Sequence, residues 1–444
     1  MAHEIELKLS LSPAHAQMFR EDAILGPAQH SEFLYNQYFD TPDLALNKAA
    51  CALRIRKTGG GFVQTLKTKG IAIGGLHQRG EWEVPVAGEA LNWSAFPEHV
   101  QVDTDLQKKI GPVFTTNFQR YLWNTHHGQS EIELVLDEGH IACGPRQISL
   151  CEIELELKSG DAADLFDFAR ALCARYVLVP CDISKAERGY RLLVPQLSFY
   201  RPLQPAKYNS DASLMAALLQ DGLTRISRRW DNFCESRDWW QLAVLLRQLN
   251  GLNGLCACVP GMPAAQHVLD QVQPLFERLA VCLGLFVDPA SEYPGLSQRL
   301  LKQLETPLNA ELEEVLRNNV MGLYLLQMGE FLFRQANTLQ ASGMQTTLQH
   351  WAQHWQEPAH HEALAFVLSS FKDERYTLLN SAINQRYVVQ AMARAGEFSR
   401  AIRDDENRAK LASWQRRLTV EQRTLQQVQG QMDAFNKEAL WPTM

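Results

Sequence analysis

A chain of 444 residues with 46% apolar and 21% charged residues is too long for one hydrophobic core and ordinary in composition for globular domains, so two or three domains are expected. The formal net charge of −7 argues against a general nucleic-acid binder, which carries a basic excess, but leaves room for a local cluster of cations. No apolar run is long enough to span a membrane, Met1 to Lys8 lacks the basic and apolar regions of a signal peptide, and the nine cysteines are scattered without a CxxC pair; a cytoplasmic protein with reduced thiols is expected.

In chain order, alternating apolar and polar residues predict strands at Glu4–Leu11, Gln29–Phe39, Ala52–Lys57, Phe62–Lys69, Glu81–Val86, Phe118–Asn124, Ser130–Asp137, His140–Ala142 and Leu150–Lys158. Thr41-Pro42-Asp43, Gly59-Gly60-Gly61, Gly74-Gly75 and Gly144-Pro145 supply turns between them. Helices are expected at Ser12–Asp22, where Ser12 caps and Pro13 opens the first turn, and at Asp161–Arg175. The segment rich in proline around Pro195, Pro202 and Pro205 reads as a linker at 199–208, dividing a domain at 1–198 from one at 209–444. Beyond it the apolar spacing becomes three and four, and helices are predicted at Ser213–Cys234, Asp238–Asn250, Pro263–Leu283, Ala310–Thr338, Thr346–Trp355, His361–Ser370, Glu374–Ala395 and Ala401–Gln427. The fold class is therefore α+β: a barrel or sandwich of antiparallel strands with peripheral helices, followed by an all-α bundle.

The first half places charge at alternate strand positions. Glu4, Glu6 and Lys8 share one face; so do Arg54 and Arg56; Arg79, Glu81 and Glu83; Glu131, Glu133 and Asp137; and Glu152, Glu154, Glu156 and Lys158, with Lys67 and Arg120 adding cations. A single such face is ordinarily a wet one. All of them, nearly pure in carboxylate, guanidinium and ammonium, fit the lumen of a closed barrel, where cations meet an anion and carboxylates hold a hard metal ion such as Mg²⁺.

Glu4-Ile5-Glu6-Leu7-Lys8 resembles the ExExK signature of the CYTH superfamily, the triphosphate tunnel metalloenzymes. Tyr38-Phe39-Asp40-Thr41-Pro42-Asp43, Leu53-Arg54-Ile55-Arg56, Thr65-Leu66-Lys67, Arg79-Gly80-Glu81-Trp82-Glu83, Glu131–Asp137, Glu152–Glu156 and Ser184-Lys185 are similar to the segments that follow it, in the same order. The resemblance implies an eight-stranded antiparallel tunnel that hydrolyses inorganic triphosphate with Mg²⁺ or Mn²⁺. It also implies roles. Lys8, Arg54, Arg56, Lys67, Arg79, Arg120 and Lys185 contact phosphate; Glu4, Glu6, Asp137, Glu152, Glu154 and Glu156 position metal, with Asp137, Glu154 and Glu156 the leading direct ligands; Glu4, Glu6, Lys8 and Lys67 form the catalytic set. Glu81, Glu83, Glu131 and Glu133 support them. The expected chemistry is in-line attack of water on a terminal phosphorus, with one metal ion bridging phosphate oxygens and a second available to activate the water.

Other features read as structural. His350 and His354 lack an HExxH motif, and Gly59-Gly60-Gly61 lacks the ending of a P-loop. The second half loosely resembles a CHAD domain, an all-α module associated with polyphosphate, without its expected histidine and dense arginines. Arg225, Arg228 and Arg229, and Arg416 and Arg417, read as solvated helix faces. Triphosphate or short polyphosphate is the expected partner, with no membrane and no nucleic acid. An adenylyl cyclase, a thiamine triphosphatase or a non-catalytic polyphosphate-binding protein are the alternatives.

Overall fold

The computed structural model describes residues 2–195 except 69 and 99–101, and in the second half chiefly 210–237, 239–257, 312–335 and 361–371. The predicted helices Thr346–Trp355 and Ala401–Gln427 and most of Pro263–Leu283 and Glu374–Ala395 lie outside the described residues, as do His350, His354, Arg416 and Arg417. The chain forms two compact units, Met1–Tyr200 with Leu325–Glu330, and Arg201–Tyr324 with Phe331–Met444.

The elements of the first unit are β1 (Ala2–Leu11), α1 (Pro13–Arg20), β2 (His30–Asp40), α2 (Ala45–Lys48), β3 (Ala52–Thr58), β4 (Gly61–Lys67), β5 (Ile71–Ile73), β6 (Leu76–Val86), a 3-10 turn (Trp93–Ala95), α3 (Thr104–Gln107), β7 (Gly111–His127), β8 (Ser130–Cys143), β9 (Arg146–Ser159), α4 (Ala163–Cys173), β10 (Leu178–Pro180) and α5 (Lys185–Leu193). Eight strands follow one another around a ring in the order β1-β9-β8-β7-β2-β3-β4-β6, and β6 returns to β1, so the sheet closes into an antiparallel barrel. Closure depends on β1 dividing its pairing: residues 2–7 meet β6, residues 6–10 meet β9, and residues 9–11 meet the short β10.

The predicted strands Ser130–Asp137 and His140–Ala142 are one strand, β8. The sequence pattern breaks at Gly139 because there is no room for a side chain: a Cβ there would lie 2.1 Å from the Asn117 carbonyl oxygen on β7. β7 likewise begins seven positions before the predicted start, at Gly111, because the polar run Thr115-Thr116-Asn117 hides its alternation while its backbone pairs with β2 and β8.

Apolar clusters lie on both faces of the barrel wall. Outside, Phe39, Leu46, Leu53, Ile55, Leu66 and Phe96 form one cluster beneath the 41–51 and 91–110 connections. Inside, one end of the lumen is apolar: Leu34, Tyr38, Phe114, Phe118, Ile141 and Leu150 pack on Tyr190 of α5. This helix is not predicted from the sequence, since nine residues give too few turns for a period to show. It starts at Ser184, whose side chain accepts a hydrogen bond from the Glu187 amide at 3.1 Å. Tyr190 donates its hydroxyl to Asp40 Oδ2 at 2.7 Å and meets Phe114 edge-on. Asp40 in turn holds the turn after β2, accepting from the amides of Thr41, Leu46 and Asn47. Gly189 allows α5 to approach the wall: a Cβ would lie 2.1 Å from a Phe114 ring carbon. Gly189→Ala is therefore expected to destabilise the unit by about 1–3 kcal/mol, read as a lower thermal midpoint; an unchanged midpoint would contradict this packing.

The second unit contains α6 (Asp211–Ser236), α7 (Trp239–Cys256), α9 (His361–Phe371) and the two ends of α8 (Val320–Gln335), whose middle, Leu325–Glu330, belongs to the first unit. α9 packs on α6 and α7 where small residues permit it. Arg225 is not on a solvated face as the sequence suggests: its guanidinium lies 3.9 Å from the Phe366 ring centroid and donates to Ser369 and Ser370 hydroxyls, joining α6 to α9. A helical period shows only that Arg225 is polar; the facing serines and ring come from a segment far away in sequence. Among the described residues the cysteines are free, and no helix is long and apolar enough to cross a membrane.

Candidate active site

Cross-strand partners in an antiparallel pair face the same side, so the register identifies the lumen. Glu4 stands opposite Arg79, Glu6 opposite His77 and Glu156, and Lys8 opposite Glu154. Asp137 lies between Arg120 and Glu152, and Glu133 between Asn124 and Glu156. Arg54 lies between Tyr38 and Thr65, Arg56 between Asn36 and Val63, and Lys67 stands opposite Glu81. The alternating charged faces thus converge on one cavity.

The side chains sort by depth. Asp137 and Glu152 are 0% exposed, and Glu6, Lys8, Arg54, Glu154 and Lys185 are buried with them next to the apolar end. Arg120 grips Asp137 with two hydrogen bonds of 2.7 Å and reaches Glu154 Oε2 at 2.8 Å. Lys185 Nζ lies 2.7 Å from Asp137 Oδ2 and 3.0 Å from Glu154 Oε1, and also donates to Glu152 Oε1. Burial alone would raise the pKa of Asp137 and Glu154, but Arg120 and Lys185, joined at Glu154 by Lys8, hold both carboxyls below their ordinary values.

A second group occupies β1, β4 and β6. Lys67 donates to both oxygens of Glu4 at 2.8 and 2.9 Å and lies 3.1 Å from Glu81. Arg79 joins Glu4 to Glu6, and Lys8 lies 3.2 Å from both Glu6 and Glu154. Burial, reinforced by the Glu4 carboxylate, pushes Glu81 up to about 7 despite Lys67 and Arg54. A raised carboxyl pKa means that the folded state keeps a proton which the unfolded state has released, so this group's contribution to stability falls as pH rises from about 4.5 to about 7. Glu81→Gln, which keeps a donor toward Glu4 without the charge, is expected to raise the thermal midpoint at pH 8 and to leave it nearly unchanged at pH 5. Equal shifts at the two values would rule out this account.

The third group is cationic. Arg54 has only distant carboxylate partners, Glu83 at 3.6 Å and Glu81 at 3.8 Å. Arg56 donates through Nε to Asn36 Oδ1 at 2.9 Å and, among the described residues, has no carboxylate within ion-pair distance. Burial, with Arg54 and Arg120 nearby, lowers its pKa to about 10. At the mouth, Lys158 bridges Glu133 at 3.3 Å and Glu156 at 2.8 Å, while Glu131 is turned outward beside His126. Glu83 accepts a hydrogen bond from Thr65 and is half exposed.

Residues 2–190 match the CYTH domain model. Inorganic triphosphatase from Haemophilus influenzae is 38% identical over 202 residues, covering 43% of this chain and 55% of that protein. The chain thus spans about half the length of the curated relative it matches. Among solved structures, a Hippeastrum protein studied as an adenylyl cyclase and showing a dominant triphosphatase activity aligns over 44% of this chain and 100% of that one, at 19% identity and a TM-score of 0.34. The PH1819 protein from Pyrococcus horikoshii aligns over 38% and 85%, at 20% identity and a TM-score of 0.26.

Within the barrel, the donor set fits a hard divalent cation at one place. Asp137, Glu152 and Glu154 each offer a carboxylate oxygen within 4.8 Å of the others, and Glu152 Oε2 is buried without a hydrogen-bond partner. Of the other acidic residues expected near metal, Glu4 and Glu6 are turned to Lys67, Arg79 and Lys8, and Glu156 to Lys158. The lumen also contains groups that charge alternation does not reveal. Tyr38 stands opposite Arg54 in the barrel interior, and Asn36 orients Arg56. Buried His77, whose ring Nε2 lies 3.3 Å from the Cys181 carbonyl oxygen, is lowered to about 4 by burial, Lys8 and Arg79. Their signal in the sequence is parity alone: each shares the inward register of a charged neighbour.

Proposed function

We propose that this protein hydrolyses inorganic triphosphate to diphosphate and phosphate in the lumen of its CYTH domain, with a divalent metal ion, Mg²⁺ or Mn²⁺. The observation that carries this reading is Arg56: a lumen guanidinium with no carboxylate within ion-pair distance among the described residues, beside loosely paired Arg54 and within the same barrel as a buried carboxylate triad. Cations are not left uncompensated in a closed cavity without cost, and an incoming polyanion removes that cost.

Arg54 and Arg56 offer guanidinium donors to phosphate oxygens, and Asn36 fixes the direction of Arg56. Lys8, Lys67, Arg79 and Arg120 provide further positive charge from β1, β4, β6 and β7, each held in place by a lumen carboxylate. Lys185 enters from the apolar end. Asp137, Glu152 and Glu154 would hold the metal ion, with Glu4, Glu6 and Glu156 the next acidic positions along the lumen. When bound, the ion supplies Lewis-acid polarisation of a phosphoryl oxygen and lowers the pKa of bound water. Positioning and neutralisation of charge by preorganised side chains supply the rest, as in phosphoryl transfer generally.

The name of the Haemophilus influenzae relative supports the same substrate. We take residues 1–198 as the tunnel domain, 199–208 as a linker and 209–444 as a CHAD-like helical scaffold without a polyphosphate site of its own, in a cytoplasmic enzyme with no nucleic-acid partner. Phosphate release from triphosphate, ATP and thiamine triphosphate, each with Mg²⁺ and Mn²⁺, tests the reading: triphosphate is expected to give the highest kcat/KM. Cyclisation of ATP, or preference for thiamine triphosphate, would place the protein in another activity of this barrel, and binding without turnover would make it a sensor.

A further inference from the structure

We propose that Lys185 is a built-in counter-ion of the Asp137–Glu152–Glu154 triad: its ammonium holds the three carboxylates together in the metal-free protein, and a divalent cation must displace it to bind. Metal binding thereby loosens the tie between α5 and the barrel. The proposal rests on the metal reading of the lumen and concerns what occupies that place when metal is absent.

The geometry is that of competition. The Lys185 ammonium lies within ion-pair distance of one oxygen each of Asp137, Glu152 and Glu154 and donates hydrogen bonds to the two glutamates. The same three residues supply the converging oxygens that suit a hard cation. A divalent ion and the Lys185 ammonium would contest the same oxygens and repel one another at low dielectric, so binding of one disfavours the other. The lysine also leaves the cage incompletely satisfied, since Glu152 Oε2 remains buried and unpartnered while the ammonium donates to Oε1 of the same residue. A divalent ion, with more coordination positions than an ammonium has protons, can use that oxygen. Arg120 stays on Asp137 and Glu154 through separate hydrogen bonds and keeps the cage from flying apart during the exchange.

The position of Lys185 gives the exchange a structural consequence. It is the first residue of α5, directly after the Ser184 cap, and the same helix carries Gly189 and Tyr190 into the apolar end of the barrel. Release of its ammonium removes the buried ionic contact of the first turn of α5 and leaves the Tyr190–Asp40 hydrogen bond to anchor the second.

Calorimetric titration of the full chain with Mn²⁺ tests the proposal. Lys185→Met is expected to bind Mn²⁺ at least tenfold more tightly than the wild type, whereas Lys185→Arg, which keeps the charge, stays within about threefold of it. In EDTA the Met variant is expected to melt at lower temperature than the wild type, and Mn²⁺ to raise its midpoint more. Should the Met variant fail to fold without metal, hydrogen exchange on the wild type decides: Mn²⁺ is expected to speed exchange of amides in 186–193, and unchanged or slower exchange overturns the proposal. Equal or weaker Mn²⁺ binding by a folded Lys185→Met protein overturns it while leaving the metal reading intact; absence of Mn²⁺ binding by every form overturns both.

Discussion

Arg56→Ala is expected to lower kcat/KM for triphosphate by about 10²- to 10³-fold while leaving the thermal midpoint unchanged or slightly raised. The two halves of this expectation come from one fact. Arg56 sits in the barrel with Asn36 as its hydrogen-bond partner among the described residues, and the Arg54 and Arg120 cations near it outweigh the more distant Glu83 carboxylate. Burial and those guanidinia lower its pKa to about 10, which means that the folded state disfavours its charge. A cation that costs stability in the free protein is stabilised only when an anion arrives. Its removal therefore relieves repulsion at rest and removes a donor during turnover, set against the small loss of the Asn36 hydrogen bond. Phosphate-release kinetics and a melting curve on the same preparation check both halves. A well-folded Arg56→Ala protein with full activity would contradict the lumen as the substrate site, and a large drop in midpoint would contradict the description of Arg56 as uncompensated.

Asp137→Ala is expected to do the reverse: to destabilise strongly, by about 3–5 kcal/mol, as well as to abolish activity. Asp137 is fully buried, accepts from Arg120 through both oxygens and lies 2.7 Å from the Lys185 ammonium. Removing it leaves Arg120 and Lys185 in the interior with fewer anionic partners, and the desolvation of those cations is then poorly offset. In a domain of this size the change corresponds to a fall in midpoint of roughly 6–20 °C. Asp137→Asn retains shape and one acceptor and is expected to lose less stability but the same activity. Calorimetry of both variants separates the charge from the hydrogen bonds. A midpoint for Asp137→Ala within a degree of the wild type would show that the deep cluster does not hold the barrel together.

These two residues behave oppositely although both are inward-facing charges on strands, and the difference is not in their local sequence. Leu53-Arg54-Ile55-Arg56 shows that Arg54 and Arg56 share a face, and the run from Glu131 to Asp137 shows the same for its carboxylates. Periodicity of two is a local property of the strand, so the wall of the barrel, its alternating charged face and the set of residues on that face are legible in the sequence. Order along the chain is equally legible, which is why the CYTH resemblance could be carried from Glu4 to Lys185. What a strand pattern lacks is depth and partnership. Whether Glu156 meets Lys158 at the mouth or the carboxylate triad within follows from the stagger of β9 against β8 and β1. Whether an arginine is paired, as Arg120 is, or unpaired, as Arg56 is, depends on the residues brought opposite by ring closure. The short α5 is invisible to periodicity, yet it sets Lys185 among the acids and closes the apolar end with Tyr190. Apart from Glu131, turned outward at the irregularity between Glu131 and Ile132, the sequence by itself determined which charges face inward; the tertiary structure decided which of them neutralise one another. Side-chain parity is set residue by residue along a strand, whereas the distance between charges is set by pairing across the barrel.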